Sequence, residues 1–261
     1  MKLNIVPART GLTWVKQGIR TFMQQPLAMS GLFFLYMAAG AFLSFVPVIG
    51  SVLALVIVPA ATLGLMAATQ EATKGKFPMP TVLISAFRAG NQRLRAMLIL
   101  GVIYAGLSLA VVLIAGQLID APMTAPKPGE EALMLPQLQI TLLVTSLLYM
   151  PVSLLFWHAP ALVHWHGISP MKSMFFSFVA CIRNTRAFLV FGLAWFGVLV
   201  ILGSIATLIA VISGSPQFMT AAMVPLALLV AAMFSTSIFF TFQDSFLETP
   251  DDTAEVETPL P

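Results

Sequence analysis

Charge is scarce in this chain. Only 9% of its 261 residues are Asp, Glu, Lys or Arg, where a soluble globular chain carries about 25%. Its one cysteine, Cys181, excludes an internal disulfide and a cysteine-based metal cluster. No nucleophile elbow, phosphate loop, HExxH, paired-carboxylate or dinucleotide pattern occurs, so catalysis has no positive support and no cofactor is implied. No charged residue falls at mid-depth of a long apolar run, which argues against a proton- or ion-driven pump. A cleavable signal peptide is not expected either. The first apolar run starts at Leu27, behind a leader too long for an ordinary n-region, and reads as an uncleaved anchor.

Apolar residues fill the space that charge leaves. They make up 59% of the chain, and the mean hydropathy is +0.94. The runs are long and continuous, unlike the alternating segments of about ten residues in a membrane β-barrel. The expected fold is therefore all-α, a polytopic membrane helix bundle. Six spans are expected at residues 27–45, 48–68, 96–119, 139–163, 187–213 and 219–242. Each approaches or exceeds the ~20 residues that a hydrocarbon core of ~30 Å requires. Tight turns at Val46-Pro47 and at 214–217 join the first and third pairs, giving three hairpins. A Pro-rich stretch, 120–138, joins the middle pair.

Twelve of the 13 Lys and Arg residues lie on one side of these spans. They are Lys2, Arg9, Lys16 and Arg20 in the leader, Lys74, Lys76, Arg88, Arg93 and Arg95 after span two, and Lys172, Arg183 and Arg186 after span four. Only Lys127 falls opposite. The positive-inside rule then puts both termini in the cytoplasm. Residues 244–261 carry six acids, three prolines and no base, and read as a disordered cytoplasmic tail that could dock on a protein partner.

Each hairpin is preceded by a basic amphipathic segment. In 14–26, Trp14, Gly18, Phe22 and Pro26 form one helical face. In 81–95 the apolar positions are Val82, Leu83, Ala86, Phe87, Gly90 and Leu94. In 171–186 they are Met171, Met174, Phe175, Phe178 and Ile182, with Lys172, Ser173, Arg183 and Asn184 opposite. Basic helices of this kind lie in the membrane interface. Phe87 to Gly101 also aligns with Phe178 to Gly192. Pro59, Gly75 and Pro78 recur with identical spacing as Pro151, Gly167 and Pro170. These matches suggest three pseudo-repeats at about 12–80, 81–170 and 171–243 within one transmembrane domain, 1–243.

Candidate headgroup contacts are Lys16, Arg20, Arg88, Arg95, Arg183 and Arg186, which suit anionic membrane lipids. Nothing points to nucleic acid, and the oligomeric state is open. Pro59, Pro151 and Pro225 each free a carbonyl four residues earlier and are candidate hinges. His158, His164 and His166 lack the i,i+3 or i,i+4 spacing of a helical metal site. With Trp157 and Trp165 they read as an interfacial belt, or as a weak polar cluster. Ala60, Gly64 and Ala68 form a small-residue stripe suited to close helix contact.

The leader, through Val6-Pro7-Ala8-Arg9, Gly11, Trp14, Gly18, Phe22 and Pro26, resembles a family of uncharacterised multi-pass inner-membrane proteins of proteobacteria, Burkholderia relatives among them. The resemblance implies an inner-membrane location and about six spans. That family has no established activity, so no catalytic or binding residue carries over. The expected function is a non-enzymatic scaffold, regulator or envelope-maintenance factor. A transporter, channel or lipid-handling protein is the alternative, and an enzyme built on the histidines ranks last.

Overall fold

The computed structural model describes residues 2–47, 49–119, 131–214 and 216–247. In chain order its elements are β1 (Lys2–Leu3), α1 (Thr10–Gln24), α2 (Pro26–Ser44), α3 (Ile49–Thr73), a 3₁₀ turn (Pro80–Ile84), α4 (Ser85–Arg88), α5 (Asn91–Leu118), α6 (Glu131–Phe156), α7 (Ala159–His166), α8 (Pro170–Arg183), α9 (Thr185–Ile212), α10 (Pro216–Ser245) and β2 (Phe246–Leu247). Six helical stretches of 19 to 29 residues are long and apolar enough to cross a membrane. They coincide with the six expected apolar runs. Their outward surfaces are strongly apolar: Leu193, Phe196, Ile201 and Leu208 of α9 are all exposed, as lipid contact requires.

Two compact units result. One comprises Met1–Ala38, Ala61–Arg88 and Val179–Pro261; the other comprises Ala39–Ala60 and Ala89–Phe178.

In the first unit α1 packs against both α9 and α10, which pack on each other. Glycine makes that approach possible. A Cβ at Gly11 would run into the Ala187 carbonyl and the Phe191 backbone, and one at Gly18 would meet Cβ and Cα of Ser237. Trp14 and Phe22 are buried beside them, and the Trp14 ring lies 5.3 Å from Phe188 and 6.0 Å from Phe191. Pro26 departs from the expected face: it is exposed and opens α2, where the missing N–H is not needed. Lys16, Arg20 and Gln24 face outward. Leu3 opposite Phe246 and Lys2 opposite Leu247 form a two-residue antiparallel ladder. Asp244 to Leu247, the expected start of the acidic tail, therefore belong to the fold. The rest of the expected tail, 248–261, lies outside the described residues, as does most of the 120–138 connection.

Segment 81–95 is not one amphipathic helix. It is the 3₁₀ turn, the four-residue α4, a break at Gly90 and the start of α5. Gly90 has φ 90°, which glycine adopts without a Cβ clash. Gly64 packs close to the Leu83 backbone, so this part of the small-residue stripe makes its contact within the chain.

In the second unit α5 packs on α6 and α7. Gly101 abuts the Val56 carbonyl, and the Tyr104 and Tyr149 hydroxyls are hydrogen-bonded. Ser108 Oγ lies 3.3 Å from the Tyr149 hydroxyl.

The fourth apolar stretch is interrupted between α6 and α7. Pro160 sits in the first turn of α7. It has no N–H for the Phe156 carbonyl, and its ring obstructs a continuous ladder. The three candidate hinges lie elsewhere. Pro59, Pro151 and Pro225 all lie inside uninterrupted helices, Pro59 buried and the other two exposed.

Candidate functional site

The interruption between α6 and α7 is sealed by α8. In an unbroken helix the His158 N–H would bond the Leu154 carbonyl. Here Ser177 Oγ stands between them. It donates to the Leu154 carbonyl at 2.8 Å and accepts from the His158 N–H at 2.9 Å. Ser177 is fully buried, as is His158. His158 therefore leaves the expected interfacial belt, while His164 and His166 are half-buried. Among the described residues no group of three or more His, Cys, Asp or Glu is placed to hold a metal.

Ser177 belongs to a buried stripe on α8 that departs from the expected faces. Ser173, Ser177, Ala180 and, just past the helix end, Asn184 are buried; Met171, Phe175, Phe178 and Ile182 are exposed. The helical period was legible, but of the expected apolar positions only Met174 is buried, while Ser173 and Asn184 of the expected polar face turn inward. Lys172 and Arg183 lie exposed on the flank between the two faces.

A cleft of about 660 Å³ opens beside α7. One wall is the first turn of α5, with Asn91, Gln92, Arg93 and Arg95; the other runs from Val163 to Pro170. Arg95 was a candidate headgroup contact in the sequence. Arg93 was not singled out, because the expected helix through 81–95 gave it no special position. Of the other candidates, Arg88 is exposed at the end of α4, and Lys16, Arg20, Arg183 and Arg186 are exposed on or beside their helices.

A second polar cluster ties the two ends of the described chain together. Asn184 is 1% exposed. Its Oδ1 accepts the Val6 N–H at 2.9 Å, and its Nδ2 donates to the Asn4 carbonyl at 3.1 Å. Asn4 in turn bonds the carbonyls of Asp244 and Ser245, both at 2.9 Å. Trp14 Nε1 donates to Asp244 Oδ2 at 2.8 Å. The leader residues that carried the family resemblance thus have physical roles: Val6 in this clasp, Gly11 and Gly18 at close helix contacts, Trp14 and Phe22 in the core.

Six apolar helices, lipid-facing surfaces and basic helix ends define an all-α, polytopic integral membrane protein. A probable inner membrane protein of Burkholderia thailandensis is 37% identical over 256 residues, covering 94% of each chain. The chain belongs to that family of multi-pass inner-membrane proteins. It matches no protein-family profile, and no solved structure matches it.

Proposed function

We propose that this inner-membrane protein acts without catalysis, as a scaffold, regulator or envelope-maintenance factor held to the headgroups of the cytoplasmic leaflet. The observation that carries the reading is α8, which buries its polar stripe and exposes Met171, Phe175, Phe178 and Ile182 beside Lys172 and Arg183. An apolar face flanked by cations suits a helix half-sunk in an anionic interface. The reading is non-enzymatic because the sequence offers no catalytic constellation. Both termini are assigned to the cytoplasm on the distribution of Lys and Arg. The acidic segment after Leu247 supplies a sequence on which a basic protein partner could dock.

Two labelling experiments test this reading in the full chain. A cysteine at position 175 or 178 should react with a lipid-restricted probe, and one at position 88 with a probe confined to the cytoplasm. A water-exposed position 175, or labelling of position 88 from outside, would overturn the placement.

The discontinuous α6–α7 stretch favours a second reading, a transporter or lipid-handling protein, since interrupted helices form substrate sites in many transporters. Reconstituted chain that moves a fluorescent phospholipid between leaflets faster than empty vesicles would select it.

A further inference from the structure

We infer that the cleft between the start of α5 and the 163–170 segment is a binding site for the phosphate of an anionic glycerophospholipid. The inference rests on the headgroup reading above and narrows it to one place.

The first ground is the lining. Arg93 and Arg95 both line it, with Asn91, Gln92 and Ser169 as neutral hydrogen-bonding partners, and among the described residues no carboxylate does. Neither arginine makes an ion pair among the described residues. Guanidinium groups match phosphate geometry bidentately. The second ground is size. A volume of about 660 Å³ falls within the range of about 300–1,000 Å³ typical of small-molecule sites. The backbone reinforces both. Gly90 precedes α5 with no side-chain cap on the first turn, and α8 begins at Pro170 on the opposite wall. The positive ends of two helix dipoles therefore border the same space.

The occupant is a lipid because the cleft is polar at one end only. Ile99 and Val163 continue its walls along α5 and α7, and Ile99 is exposed. A phosphate held by Arg93 and Arg95 would leave its diacylglycerol beside that apolar wall. A free phosphate would gain nothing from it.

Native mass spectrometry of the purified full chain tests the site, with phosphatidylglycerol, phosphatidylcholine and inorganic phosphate as separate probes. Wild type should retain phosphatidylglycerol over phosphatidylcholine, and inorganic phosphate should not displace it. R93Q/R95Q should weaken phosphatidylglycerol binding by about 30-fold, as the loss of two cations implies. R93K/R95K should restore most of it, and K74Q/K76Q, at two exposed lysines away from the cleft, should leave it unchanged. Selective binding that survives R93Q/R95Q would overturn this site and spare the wider headgroup reading. Absence of any preference for the anionic lipid would sink both. Displacement by inorganic phosphate would overturn the lipid assignment. If R93Q/R95Q fails to fold, photoactivatable phosphatidylglycerol on the unmutated chain decides. Crosslinks within 91–99 and 163–170 support the site, and crosslinks confined to other segments refute it.

Discussion

Trp14 and Asp244 are 230 positions apart in the chain, and the indole Nε1–H donates to the Asp244 carboxylate at 2.8 Å. The bond joins α1 to the last turn of α10. It also fixes the helix end from which β2 runs back to pair with β1. A hydrogen bond to an ionised carboxylate contributes about 1.5–3 kcal/mol. Asp244→Ala should lower stability by about that amount, and Asp244→Asn should lower it less, since an amide oxygen still accepts. Thermal unfolding of the full chain in detergent micelles measures both. Equal stability of Asp244→Ala and wild type would show that the bond contributes nothing.

Asn184 holds the same region from the other side. Its amide accepts from Val6 and donates to Asn4, both bonds part-buried, so Asn184→Leu leaves a partly covered backbone N–H and carbonyl without that partner. Leaving a buried polar group unsatisfied costs about 1–3 kcal/mol. The expected result is a chain destabilised by that order, with faster amide exchange at Val6. Unchanged exchange at Val6 would mean that Asn184 does not hold the leader.

Much of this fold was legible because a membrane imposes one dominant rule: a span must be helical, apolar and about 20 residues long. All six spans follow from it. The faces of α8 were harder. In water an apolar stripe marks the side that packs on protein. In a bilayer the lipid is equally apolar, so small and polar residues such as Ser173 and Ser177 turn inward and Phe175 turns out. The helix period survives this inversion while the direction of the faces does not. The interruption at His158 has a sequence signal, Pro160, two residues on in the first turn of α7. The clasp had no local signal. Asn4, Asn184 and Asp244 meet only because α1 packs against α9 and α10. The cleft stayed hidden because an uninterrupted helix through 81–95 has no break at Gly90 from which α5 starts, and the first turn of α5 is one wall.

At Gly18 α1 comes close to α10. A Cβ there would stand 2.5 Å from Ser237 Cβ and 2.8 Å from its Cα. Part of the obstruction is backbone, so no rotamer change removes it. Gly18→Ala should destabilise the chain by about 1–3 kcal/mol, the usual cost of overpacking. Gly31→Ala is the matched control, since a Cβ at Gly31 meets nothing within 4 Å. If both substitutions shift the unfolding temperature equally, close approach at Gly18 is not the cause.

Ser177 makes the sharpest test of the interrupted helix. Its hydroxyl satisfies both the Leu154 carbonyl and the His158 N–H, the pair that an unbroken α6–α7 would have bonded directly. Removing the hydroxyl takes away the bridge between these two groups. Pro160 keeps the helix from joining them directly, because the Phe156 carbonyl still lacks its donor. Ser177→Ala should therefore cost about 1–3 kcal/mol and expose the His158 amide to exchange. Ser177→Thr keeps the hydroxyl and should retain the protection. Full protection of His158 in Ser177→Ala would mean that the helix can reconnect, and that the proline does not enforce the break.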